Sequence, residues 1–215
     1  MLAGIISVLC FVAFADTTKV VVDRIAVAVG RRAIKTSDID RDLRVTAFLN
    51  GAPLTETAAA RKAAAERLID QQIIRQEIAT GEYPRASDAD ATGLLQQIRT
   101  SRFGGSDTRL RAALTRYRLT EAQLQDQLLW QLTVLRFIDE RFRPGINISD
   151  EDLRKYYDAH LAELKRQNPR DSSFEAMEPK IRETLEGNQT NQQFEEWLAA
   201  ARKNVRIDYH QEAFQ

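Results

Sequence analysis

Two histidines, His160 and His210, stand about fifty residues apart, and neither has a second ligand-type residue at the spacing a zinc site needs. Surface or helix-end positions account for both. Serines are present, but no motif supplies the base and orienting group that a nucleophilic serine requires. The stretch "RFGGSD", Arg102 to Asp107, has paired glycines without the following Lys-Ser/Thr or the strand-loop-helix context of a phosphate loop, and reads as a turn. Carboxylates concentrate in "DIDRD" (38–42) and "DEDLRKYYD" (150–158), each directly after a serine. Acids there favour the positive end of a helix, which explains them without calcium or acid–base chemistry. Asn147-Ile148-Ser149 and Asn188-Gln189-Thr190 match the glycosylation triplet, a pattern that chance often produces. No catalytic residue, metal site or cofactor is therefore assigned.

What remains is apolar surface. Trp130 and Phe137 lie on one long helical segment, and Phe194 and Trp197 on another. With Leu128 and Val134 they are the candidate peptide-binding positions. A helical cradle with aromatic and aliphatic walls suits capture of apolar side chains from another protein. Packing of the same residues in one core is the competing reading. Replacing Trp130 and Phe137 with serine separates the two.

The elements that must position these residues are mostly helices. "VVVDRIAVAVGRRAIKT" (20–36) is rich in β-branched residues and breaks at Gly30, which predicts a hairpin of strands near 24–29 and 33–35. Ser37, with Asp38 and Asp40 behind it, is expected to cap a helix ending near Asn50-Gly51. Helices follow from Thr57 to Thr80, from Ser87 to about Thr100, and from Thr108 to Tyr117. Thr120 caps the longest amphipathic segment, Glu121 to Phe142, with Leu124, Leu128, Leu132, Leu135 and Phe142 on one face. Trp130, Val134 and Phe137 lie on a neighbouring face, so this helix touches something on two sides. Ser149 caps another helix ending near His160. Phe174 to Asn204 is helical in pattern, with Pro179 confined to its first turn and a kink or break expected at Gly187-Asn188. "VRIDY" (205–209) reads as a strand that could pair with the hairpin, because a lone hairpin is marginal in water.

Composition agrees with a helical globular chain. Apolar residues make up 43% and charged residues 29%, which argues against disorder. Lys plus Arg equals Asp plus Glu at 31 each, and the missing basic excess counts against a nucleic-acid partner. Residues 1–15 read as a secretory signal. Ile5 to Ala15 is nearly all apolar but too short to span a bilayer, and Ala13-Phe14-Ala15 resembles a cleavage site before Asp16. No Lys or Arg precedes the apolar run. Cys10, the one cysteine, follows Leu9 rather than a small residue, which disfavours lipidation. Cleavage after Ala15 would leave a mature chain with no thiol.

Five segments, in order, resemble SurA-type periplasmic chaperones. "VVDRIAVAVGRRAIKTSDID" resembles their opening hairpin and first helix, and "RLIDQQIIRQE" (67–77) their second helix. "FGGSDTRLRAALTRYRLTEAQLQDQLLWQLTVLRFIDERFRP" resembles the loop, short helix and long helix that follow. "ISDEDLRKYYDAH" resembles the exit helix leading to a parvulin-type prolyl isomerase domain. "FEAMEPKIRETL" with "FEEWLAAARKNVRIDY" resembles the segment that folds back after that domain. Where the isomerase would stand, this chain has only "HLAELKRQNPRDSS", and fourteen residues bury no core.

The resemblance implies a mainly α fold. It has a helical N-terminal-type domain over 16–160, a connector over 161–173, and a C-terminal helical segment over 174–215 that completes the chaperone domain. It also implies a periplasmic, ATP-independent holdase for unfolded exported proteins, including those of the outer membrane. The expected chain spans no membrane. A homodimer, residual prolyl isomerisation, and a structural role with one dedicated partner remain open alternatives.

Overall fold

The computed structural model describes residues 23–214; the expected signal segment lies outside them. The fold is mainly helical with a small antiparallel sheet. Strand β1 (Ile25–Val29) turns through Gly30 and Arg31 into β2 (Arg32–Lys35), with Val29 opposite Arg32. Gly30 adopts φ +56°, a left-handed conformation that a residue without Cβ enters at little cost. The register shifts between Ile25 and Val27. This bulge lets the neighbouring Ala26 and Val27 both be buried, which strict alternation forbids. Strand β3 (Ile207–Tyr209) pairs antiparallel with the other edge of β1, giving the order β2-β1-β3. The third strand expected from "VRIDY" is thus in place.

Helix α1 (Thr36–Asn50) follows β2 with no intervening loop. The cap expected from Ser37 is not formed there, because Ser37 is already inside the first turn. Asp23 does the work instead. Its carboxylate accepts the Ser37 N–H (3.2 Å) and the hydroxyls of Ser37 (2.5 Å) and Thr36 (3.0 Å). Those bonds, Ser37's first, hold its carboxyl below the ordinary carboxylate range. The other helices start as their sequences dictate. They are α2 (Ala58–Thr80), α3 (Asp88–Phe103), α4 (Asp107–Arg116), α5 (Glu121–Phe142), α6 (Asp150–Gln167) and α7 (Phe174–Lys203). The hydroxyls of Thr57, Ser87, Ser106, Thr120, Ser149 and Ser173 each accept a first-turn backbone N–H. Asp90, Gln123 and Asp152 reach back to the cap N–H of α3, α5 and α6.

Three further expectations need correction. The exit helix does not end at His160. It runs on to Gln167, because Leu164 is buried with Leu153, Met177 and Ile181 between α6 and α7. The connector expected over 161–173 is therefore shorter, leaving Asn168–Ser173 as the link. Nor does α7 break at Gly187-Asn188; it is one helix of 30 residues, about 45 Å long. Gly187 costs only about 1 kcal/mol of helix propensity. Packing on both sides of it offsets that cost: Met177 and Ile181 anchor the first half, Phe194 and Trp197 the second. Pro179, the sixth residue of α7, sits beyond the first turn and forgoes one backbone bond at an exposed position.

Four apolar clusters hold these elements. The first lies under the sheet, among Ala26, Val27, Ile34, Ile39, Ile69 and Phe214. The second joins α1, α3, α4 and the start of α5 around Phe48, Leu95, Leu110, Leu124 and Leu128. The third sits where α2, α5 and α7 meet. The fourth binds α6 to the first half of α7, with Ile148 at its base.

Candidate binding surface

The third cluster gathers five of the six sequence-picked residues. Phe137 is 0% exposed and Trp130 7%, packed with Ile74, Ile78 and Phe142; Val134, Phe194 and Trp197 lie half-buried against them. Leu128, 1% exposed, belongs to the second cluster instead. Leu128, Trp130 and Phe137 are thus core side chains in this conformation, and the apolar surface left to a partner lies around them.

Aromatic geometry explains why the cluster closes here. Phe137 meets Tyr83, Trp197 and Phe142 edge-on at centroid distances of 5.0, 5.4 and 5.8 Å, and Phe194 packs on Phe142 (5.8 Å) and Trp197 (5.9 Å). Edge-to-face rings set positive edges against negative faces, worth about 0.5–1.5 kcal/mol per pair beyond area. Arg141 lies 5.1–5.9 Å from the ring centroids of Tyr83, Phe137, Phe142 and Trp197, donates to the Tyr83 hydroxyl (2.9 Å) and pairs with Glu77. Arg75 stacks on Trp130 at 3.7 Å.

The outer rim of the cluster is only partly covered. Val134, Ile138, Phe194 and Trp197 remain half-buried, and Leu135, beside Val134 and one turn from Ile138 on α5, is 58% exposed. Leu135 was expected on the same face as Leu124 and Leu128. It faces out because α5 changes neighbours along its length, from α3 and α4 to α2 and α7, and its buried face rotates with them. Thr133 takes the inward position. Its hydroxyl donates to the Leu129 carbonyl (2.8 Å) and accepts the Ala86 N–H (3.2 Å), so a polar side chain is satisfied in the core. Ile138 and Arg141 escaped the sequence reading. An arginine one turn after an aromatic residue was the available hint for the second.

The end of α7 is fixed by a polar clamp. Arg202 pairs with Asp70 (2.6 Å) and with Glu66, which also accepts the Tyr209 hydroxyl (2.7 Å). Burial pushes the Asp70 carboxyl up despite Arg202, and burial, then Glu66, pushes the Tyr209 phenol up. The rim side chains Phe194 and Trp197 are therefore on a helix tied down at its last turn. His160 is stacked on Tyr156 at 4.0 Å with Nδ1 at 2.9 Å from the Tyr156 carbonyl, and His210 is near Glu212; the two do not converge.

No protein-family model matches the chain. The chain is distantly similar to chaperone SurA. The SurA of Pseudomonas aeruginosa is 26% identical over 155 residues, which is 71% of this chain and 37% of that protein. The chain thus spans well under half the length of this SurA relative. The similarity supports a SurA-like relationship, and the mainly helical fold is consistent with it. Among the described residues no helix is long and apolar enough to cross a membrane.

Proposed function

We propose that this chain is an ATP-independent periplasmic holdase, with residues 1–15 removed on export and the helical halves 16–160 and 174–215 acting as one chaperone unit. The partly covered apolar rim made by Val134, Ile138, Phe194 and Trp197, with the exposed Leu135 next to Val134 on α5, carries this reading. Unfolded exported proteins, outer-membrane proteins among them, would rest apolar side chains on it. Binding the unfolded state lowers its free concentration and slows aggregation by mass action. Release follows from weak binding or from folding of the client. Kinship with SurA supports the class of activity, and the short link between α6 and α7 supports a reading without an inserted isomerase at that point.

The test is light scattering of a chemically denatured outer-membrane protein diluted into buffer without nucleotide. The chain should suppress aggregation, and Leu135→Ser/Ile138→Ser should lose most of that suppression while keeping its far-UV spectrum. No suppression by the wild-type chain, or full suppression by the folded double variant, overturns the proposal. Fractionation should place a chain beginning at Asp16 in the periplasm; a chain starting at Met1 in the cytoplasm contradicts the export step.

A further inference from the structure

An arginine-lined cleft that shares no lining residue with the apolar rim lies between the β1–β2 turn, α2 and the segment that follows α7. It encloses about 980 Å³ and is lined by Arg31, Arg32, Arg75 and Arg206, with Gln72 and Asn204 among its polar walls and no carboxylate on its lining. The chain as a whole has equal acidic and basic residues, so four arginines on one lining with no carboxylate among the lining residues is a local segregation of charge. Among the described residues Arg31, Arg32 and Arg75 have no carboxylate within ion-pair distance; Arg206 has Asp208 beside its Nε at 2.8 Å.

The walls are held in place. The Gly30 N–H donates to the Arg206 carbonyl at 2.8 Å, tying the turn that carries Arg31 to the approach of β3. Arg75 is stacked on Trp130, which orients its planar fork. Guanidinium forks suit carboxylates, which they can grip through two parallel N–H bonds. We propose that this cleft binds acidic segments of a polypeptide, its Asp and Glu side chains entering among the arginines. The shape favours a peptide over an anionic membrane. The charges line a concavity, which admits an extended chain, rather than projecting from a flat or convex face. This inference deepens the holdase reading, whose client would span the apolar rim with one part and this cleft with another.

The test is fluorescence anisotropy of a labelled peptide of about ten residues rich in Glu, against versions with every Glu replaced by Gln or by Lys, titrated with the chain. The Glu peptide should bind at least about fivefold more tightly than the Gln version, and raising NaCl from about 0.05 to about 0.5 M should remove most of the difference. Arg31→Glu/Arg32→Glu breaks no ion pair of the described residues and changes exposed positions, so it should fold as wild type and lose the preference. Arg111→Glu, on the exposed face of α4, should keep it. Equal binding of the three peptides overturns the proposal, as does a preference that survives Arg31→Glu/Arg32→Glu. Binding to phosphatidylglycerol vesicles without any peptide preference overturns it in favour of a lipid. Aggregation of an uncharged client, followed in parallel, separates this idea from the one it rests on. Suppression with no acidic preference sinks the cleft alone. Acidic preference without suppression sinks the holdase reading and leaves the cleft.

Discussion

Phe137→Ala is the sharpest probe of how this molecule is built. The side chain is 0% exposed and in edge contact with Tyr83, Trp197 and Phe142, which come from outside α2, from α7 and from the end of α5. Truncation removes a ring from the place where three elements meet. A buried Phe→Ala change costs about 3–5 kcal/mol, from lost transfer energy plus the cavity left behind. Against a total stability on the order of 5–15 kcal/mol, that is a large share. For a chain of this size it should lower the melting temperature by about 10 °C. Urea unfolding followed by circular dichroism measures it, with Leu135→Ala as the companion. Leu135 is 58% exposed, and its loss should stay within about 0.5 kcal/mol. If Phe137→Ala costs under about 1 kcal/mol, the aromatic cluster is not closed in solution, and the assignment of Phe137 and Trp130 to the core is wrong.

Three further outcomes are expected. Arg202→Met strips the partner from Asp70 and Glu66 and should cost about 1–2 kcal/mol at neutral pH, a figure held down by partial exposure of the pair. Because burial already raises the Asp70 pKa, the folded variant takes up its proton first, so its deficit against wild type should narrow as pH falls. The capping aspartates behave oppositely. Hydrogen bonds from Ser37, Ser87, Ser149 and Ser173 hold Asp23, Asp90, Asp152 and Asp171 below their unfolded values. Their contribution is full above the unfolded pKa, about 3.9, and disappears as pH drops through the folded one. Calorimetry should therefore show stability falling below about pH 4, less steeply in Asp90→Asn. Thr120→Ala should cost about 1 kcal/mol and speed amide exchange at Gln123, whose N–H the Thr120 hydroxyl accepts.

Most helix starts were legible because they are local: a Ser or Thr hydroxyl, in α3, α5 and α6 with an Asp or Gln three residues on, specifies where backbone N–H groups find acceptors, although α4 begins at Asp107 with Ser106 as its cap rather than at the expected Thr108. Ser37 misled because the true acceptor, Asp23, is fourteen residues upstream and becomes a neighbour only when the hairpin forms. Lengths failed where tertiary packing overrides propensity. Leu164 extends α6 against α7, and the flanking aromatic and aliphatic anchors carry α7 through Gly187. The gathering of five candidate residues at the junction of the two long helices was legible, but which of them stay exposed was not. Periodicity says that α5 must touch something on two sides. It does not say that α5 exchanges one set of neighbours for another midway, so that Trp130 and Phe137 turn inward while Leu135 turns out. The arginine cleft was invisible for the same reason: its members come from three elements distant in sequence.

The central strand of the sheet lies near the beginning of the described chain, and one of its two partners lies near the end. Until residues 207–209 arrive, the edge of β1 facing them is bare and Phe214 cannot cover the cluster beneath it. Closure of that loop pays its entropy over almost all of the described residues, a long-range pairing of the kind that slows folding. Synthesis from the N-terminus makes β1 well before β3, so this strand waits for its second partner while the whole helical body between them is made.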